Sequence, residues 1–191
     1  MKRLVLASRN KHKIEELRDL LRPLGIDLLS ALDFPELEEV VEDKDTLEGN
    51  ALKKARYVSA MTGLPAVSDD TGLEVDALAG APGVYSARYA GEDATYGDNV
   101  RKLLSEMDGK SNRRARFRTA VALVHDSLEE VFEGICPGQI IREEKGDKGF
   151  GYDPVFMPEG YERTFAELDS EVKNRISHRG RAIQKLIEYL K

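Results

Sequence analysis

Residues 64–74 read Leu64-Pro65-Ala66-Val67-Ser68-Asp69-Asp70-Thr71-Gly72-Leu73-Glu74, an apolar run that meets an acidic pair. A run of that length, Leu64 to Val67, fits a short buried strand that delivers the chain to Ser68-Asp69-Asp70. Just upstream, Leu47, Ala51, Ala55, Val58 and Met61 recur at helical spacing, with Gly63 placed to close the helix. Asp45, with Glu48 three residues on, resembles a capping box that opens it. Further back, Arg3 to Ala7 reads as another buried strand. Ile14, Leu17, Leu20, Leu21 and Leu24 mark one face of a helix ending near Pro23 and Gly25. Strand, helix, helix, strand is the order of an α/β protein with a mixed sheet.

Downstream of the acidic pair the pattern changes. Residues 74–91 are rich in Gly, Ala and Pro and read as loop. Val100, Leu103, Leu104 and Met107 mark a helix. Residues 115–125 and 129–135 read as a hairpin turning at Asp126-Ser127, and Gly138 to Glu143 as a third strand. Ser177 is placed to cap a last helix whose inward stripe is Ile183, Leu186, Ile187 and Leu190. Without a repeat, a low-complexity tract or a linker, 1–191 is expected to be a single domain.

Composition narrows the class of function. With 41% hydrophobic and 34% charged residues the chain is an ordinary globular protein, and its net charge of -6 argues against a general nucleic-acid binder. A local group of Lys and Arg can still hold a phosphorylated small molecule. The one cysteine, Cys136, forms no intramolecular disulfide and fits a reducing compartment. The apolar run Leu4 to Ala7 is too short for a signal peptide, and no run approaches a membrane span. The expectation is a cytoplasmic protein with no membrane partner.

Four segments carry chemistry. Ser8-Arg9-Asn10-Lys11-His12-Lys13 joins a strand to a helix start, where free N–H groups and the helix dipole favour an anion. The same residues also fit a capped helix with a solvated basic end. Asp69 and Asp70 are costly to desolvate side by side unless a cation neutralises them. Mg2+ is satisfied by one or two carboxylates plus substrate phosphates. An acidic turn is the plainer alternative. Lys148-Gly149-Phe150-Gly151-Tyr152-Asp153-Pro154 offers aromatic faces for a base and a carboxylate for ring N–H groups, although a glycine-rich turn with core aromatics has the same composition. Lys173-Asn174-Arg175-Ile176-Ser177-His178-Arg179-Gly180-Arg181 is the most basic stretch of the chain; in isolation it fits a solvated helix end better, but His178 and Arg179 are placed to donate to phosphate or to a 6-oxo purine. Arg113, Arg114, Arg116 and Arg118 are expected to flank a strand face, and His125 to be structural.

Taken in order, Ser8-x-Asn10-x-x-Lys13, Ser68 to Leu73, Gly80-Ala81-Pro82-Gly83-Val84-Tyr85-Ser86-Ala87-Arg88-Tyr89, Gly149 to Pro154, and Lys173 with Ser177-His178-Arg179 resemble the inosine triphosphate pyrophosphatase family over nearly the whole chain. The resemblance implies an elongated α/β mixed-sheet fold with two lobes around a central substrate cleft, and a homodimer. It implies Mg2+-dependent cleavage of ITP, dITP or XTP between the α- and β-phosphates, which gives the monophosphate and pyrophosphate and clears such nucleotides from the pool. By position, Ser8, Arg9, Asn10, Lys11, His12 and Lys13 would hold the triphosphate and Thr71 would contact substrate. Asp70 would be the general base or a metal ligand, with Asp69 beside it. Phe150, Gly151, Tyr152 and Asp153 would stack on and read the base, and Lys173, His178 and Arg179 would complete recognition. Relatives place a metal-binding glutamate before the segment that is here Thr46-Leu47-Glu48-Gly49-Asn50-Ala51. Counting back lands on Val41, so Glu42 is taken as that ligand, with Glu39 two residues before Val41. Two other functions compete: a related pyrophosphatase acting on pyrimidine or modified nucleotides, whose Ser-Pro-Arg-Arg-like run is absent after Ser8, and a nucleotide sensor that binds without hydrolysis.

Overall fold

The computed structural model describes residues 2–191. In chain order the elements are β1 (Arg3–Leu6), α1 (Lys11–Leu21), β2 (Asp27–Ser30), α2 (Leu47–Thr62), β3 (Ala66–Val75), β4 (Pro82–Gly83) and α3 (Tyr96–Glu106). They continue with β5 (Arg114–His125), β6 (Leu128–Ile140), β7 (Phe156–Pro158), α4 (Ser170–Ile176) and α5 (His178–Leu190). Among the described residues the strands form one seven-stranded sheet in the order β2-β1-β3-β5-β6-β7, with β4 on β3. β1 runs parallel to β2 and β3, whereas β4 and β7 are antiparallel to their neighbours. The sheet is therefore mixed, as the order of elements predicts.

The residues group into two compact units. The first holds Met1–Asp70, Thr119–Gly134 and Arg179–Lys191. Its strands are covered on both faces, and alternation along β1 shows how. Leu4 and Leu6 pack with Ile14, Leu17 and Leu21 of α1 and Ile183, Leu186 and Ile187 of α5. Val5, between them in sequence, packs instead with Val58 of α2 and with Ala31 and Leu37. The second unit holds Thr71–Arg118 and Ile135–His178. Its core gathers Leu73 and Val75 of β3, Val100 and Leu103 of α3, and the rings of Phe117, Phe156 and Phe165. Phe117 meets Phe156 edge-on at 4.6 Å between ring centroids, an arrangement favoured by the aromatic quadrupole.

Several sequence expectations change. β3 does not stop at the acidic pair; it runs through it to Val75, so part of the expected 74–91 loop is strand. The rest of that segment holds short 3-10 turns and β4. β6 continues to Ile140, absorbing the start of the third strand expected at Gly138. β2, β7 and α4 are additions. The cap of α2 is Thr46 rather than Asp45: its hydroxyl accepts from the Gly49 N–H at 3.0 Å. Met61, in the last turn of that helix, is 54% exposed, so the buried stripe ends at Val58. His125 sits at the hairpin beside Asp126, and Arg116 and Arg118 of β5 both reach Glu74. Among the described residues no helix is long and apolar enough to cross a membrane.

Candidate active site

The continuation of β3 through Asp69 and Asp70 determines the site. Successive residues of a strand point to opposite faces of the sheet. Asp69 therefore faces the α1 and α5 side with Val67, and Asp70 faces the α2 side with Ala66 and Ser68. The repulsion expected of neighbouring carboxylates is relieved by this alternation, and each acid acquires its own partners.

Asp69 is buried between two cations. Lys13 Nζ and Arg179 Nε each lie 3.1 Å from its Oδ2, and Arg179 also donates to Glu16 at 2.6 Å. Burial raises the Asp69 carboxyl, but Lys13, Arg179 and Lys54 together outweigh burial and hold it well below the usual carboxylate range. Two acids, Asp69 and Glu16, are thus balanced by two bases.

Asp70 differs. Asn50 Nδ2 donates to its Oδ2 at 3.2 Å, and Lys54 Nζ stands 3.6 Å from its Oδ1. The same ammonium donates to Glu42 and, at 2.8 Å, to the carbonyl of Asp69. Burial pushes the Asp70 carboxyl up to about 6; Lys54 opposes this and the nearby Glu42 reinforces it. For Lys54, burial is outweighed by Asp70, Glu42 and Asp69, so its ammonium form is favoured. Here two carboxylates share one ammonium, which leaves a net negative charge in a partly dry place. Among the described residues no three His, Cys, Asp or Glu gather as a metal cage. Mg2+ needs none, since one or two carboxylates plus phosphates satisfy it. Glu42 and Asp70 converge on one cation position, so the donor set fits a divalent ion.

The turn before α1 is more self-contained than the sequence suggests. Ser8 Oγ accepts from Asn10 N–H at 3.2 Å, and Asn10 Oδ1 accepts from the N–H groups of His12 and Lys13 at 3.0 and 3.4 Å. Arg9 donates to the Leu37 carbonyl at 2.5 Å, while Lys11 and His12 are exposed. Lys13 is the side chain of this turn that the structure brings to the acids.

The residues expected to recognise the base belong to the second unit, except Arg179, which belongs to the first. Asp153 is buried and its Oδ2 accepts from the Phe150 N–H at 2.8 Å and from Lys173 Nζ at 2.9 Å. Lys173 Nζ also lies 5.1 Å from the centre of the Phe150 ring. Tyr152 is a core residue whose hydroxyl donates to the Ser86 carbonyl at 2.8 Å. His178 is buried and stacks on Phe117 at 4.4 Å and 14°. Thr71 and Gly151 are half-buried. Phe150, also half-buried, is the ring of its segment that keeps an accessible surface. Sequence reasoning missed Lys54 and the contact made by Asn50. Their signal was present: two polar residues four apart, hence on one helix face, bordering the apolar stripe of α2.

The sequence profile of the Ham1 family matches residues 4–189. The chain belongs to the Ham1 family. It is 49% identical over 188 residues to a dITP/XTP pyrophosphatase of Flavobacterium johnsoniae, spanning 98% of this chain and 97% of the relative. It is 51% identical over 191 residues to a dITP/XTP pyrophosphatase of Desulforamulus reducens, spanning 98% and 95%. The solved structure of a HAM1 protein from Coxiella burnetii superposes with a TM-score of 0.92 at 42% identity, covering 100% of this chain and 98% of that one. The motif resemblance and the mixed α/β fold therefore agree with the Ham1 relatives across almost the whole chain.

Proposed function

We propose that this Ham1 protein is a nucleoside-triphosphate pyrophosphatase that hydrolyses nonstandard purine nucleotides, ITP, dITP and XTP, to the monophosphate and pyrophosphate. The observation that carries the reading is the division of the acidic pair. Asp69 is locked as an anion between Lys13 and Arg179, whereas Asp70 is raised to about 6 beside Glu42 and Lys54. A carboxylate in that range is mostly ionised at neutral pH yet basic enough to take a proton from water.

In this reading Asp70 accepts a proton from the attacking water as the water oxygen bonds to phosphorus and the bridge between the α- and β-phosphates breaks. Asp70 and Glu42 would hold Mg2+, which would supply positive charge to neutralise phosphate oxygens. Asn50 fixes the Asp70 carboxylate, and Lys54 and Lys13 place positive charge where phosphate oxygens arrive. Ser8, Arg9, Asn10, Lys11, His12 and Thr71 complete the phosphate side. Phe150 presents a face to the base, with Gly151, Tyr152 and Asp153 shaping that segment and Lys173, His178 and Arg179 completing recognition. The whole chain, 1–191, works as one catalytic domain, as a cytoplasmic homodimer that takes no nucleic acid.

Purified protein with Mg2+ should release pyrophosphate from ITP and XTP far faster than from ATP or GTP. Equal rates on all four would remove the purine-editing assignment, and faster turnover of dTTP or UTP would move the protein to the pyrimidine class. Tight binding of ITP with no product over hours would make it a sensor.

A further inference from the structure

A flat base gains most when both of its faces leave water, and Phe150 supplies only one wall. The second unit holds another ring in place to supply the other. Tyr96, the first residue of α3, is 48% exposed and its ring centre lies 6.0 Å from that of Phe150, tilted by 42°. No motif of the sequence points to it.

The two rings are held very differently. Phe150 is anchored through its own backbone, because its N–H donates to buried Asp153, which also grips Lys173. Tyr96 has a fixed backbone and a ring that is half exposed. The backbone is set by the capping box of α3: Thr95 Oγ1 accepts from the Asp98 N–H at 3.2 Å, and Asp98 accepts from the Thr95 N–H at 2.8 Å. Val100 and Leu103 bury the inner face of the helix. A base between two parallel rings needs a centre-to-centre gap of about 7 Å, twice the carbon–carbon contact distance. At 6.0 Å and tilted, the pair is closed on itself. To admit one planar ring the two ring centres must part by about 1 Å and the tilt between them must close.

We propose that Tyr96 is a base-contacting residue that closes over the purine face opposite Phe150 and so contributes to selection of the nucleotide. This rests on the reading of the protein as a nucleotide pyrophosphatase with the base on Phe150. Stacking carries no hydrogen-bond code, so Tyr96 tightens binding of any large planar base and leaves discrimination of the 6-oxo group to polar side chains.

The test is steady-state kinetics on ITP for the wild type and for Tyr96→Ala, Tyr96→Leu and Tyr96→Phe, with inorganic tripolyphosphate as a competitive inhibitor that has no base. Tyr96→Ala is expected to raise KM roughly tenfold with kcat within a factor of two, since it removes one stacking wall and no reacting group. Tyr96→Leu, which keeps bulk without a ring, should show part of that rise, and Tyr96→Phe should match the wild type. Inhibition by tripolyphosphate should stay the same throughout. An unchanged KM in Tyr96→Ala, or a loss of tripolyphosphate affinity in step with that of ITP, overturns the assignment. A wild type that turns over no ITP instead overturns the function on which it rests, so the two failures are told apart.

Discussion

Asp70 and Asp69 show how much one residue of offset decides. The sequence marks both as costly acids, yet it places them at the end of a strand, where they appear equivalent. A strand that continues past them separates their faces, and burial with Glu42 nearby leaves Asp70 strained in its charged form. Replacing that charge should therefore relieve the fold while removing the chemistry. Asp70→Asn keeps an oxygen for Asn50 and deletes a buried negative charge, so the metal-free protein should gain about 2 kcal/mol, or roughly 5 °C in melting temperature. Pyrophosphate release should fall by three orders of magnitude or more, the scale on which loss of a catalytic base or metal ligand is felt. Thermal melts in EDTA alongside the ITP assay check both halves. A variant that melts lower than the wild type would show that Asp70 is a structural anchor.

At the scale of elements, long periodic segments were legible and abrupt ones were not. The stripes of α1 and α2, the hairpin around Asp126 and the last helix follow from spacing alone, because each buries several apolar residues at a fixed period. The sequence understates the length of β3 because Ser68 to Gly72 is polar and carries a glycine, although tertiary partners on both faces satisfy those groups. β2 and β7 have four and three residues, too few to show a period. In the site, Asp70 and Lys13 were legible from motif and position, whereas Lys54 depends on helix geometry and Tyr96 on a contact 54 residues away in sequence. The Phe150 segment gives an element-scale prediction. Gly149 has φ +75°, and a Cβ there would lie 2.1 Å from Asp153 Oδ2. Gly149→Ala should thus displace the carboxylate that holds Phe150 and Lys173, costing roughly 2 kcal/mol or more and raising KM for ITP. Gly151, at φ +63°, faces open space, so Gly151→Ala should cost only the backbone penalty of about 1 kcal/mol. Equal melting temperatures for the two variants would mean that the Asp153 grip contributes little.

For the molecule as a whole, the two acids impose opposite pH dependences on one stability curve. Asp69 has a folded pKa held below its unfolded value near 4, so its stabilisation is present above that pH and is lost as the pH falls further. Asp70 has a folded pKa raised to about 6, so the folded state takes up a proton before the unfolded chain does, and stability grows as the pH falls from about 6 towards 4. The metal-free protein should gain stability, relative to Asp70→Asn, as the pH drops through that window. Below about pH 4 both proteins should weaken, because the unfolded chain takes up a proton that folded Asp69, paired with Lys13 and Arg179, does not. Urea denaturation of wild type and Asp70→Asn in EDTA, at half-unit steps from pH 7 to 3, reads the difference directly and cancels groups common to both. The stability difference should shrink by about 2 kcal/mol between pH 7 and 4 and then stay flat. Mg2+ at pH 7 should narrow the same gap from the other side, because a cation bound to Asp70 and Glu42 neutralises the charge that protonation neutralises in acid. A pH-independent difference would leave Asp70 with an ordinary pKa, and its place as the base would then have to come from substrate contact alone.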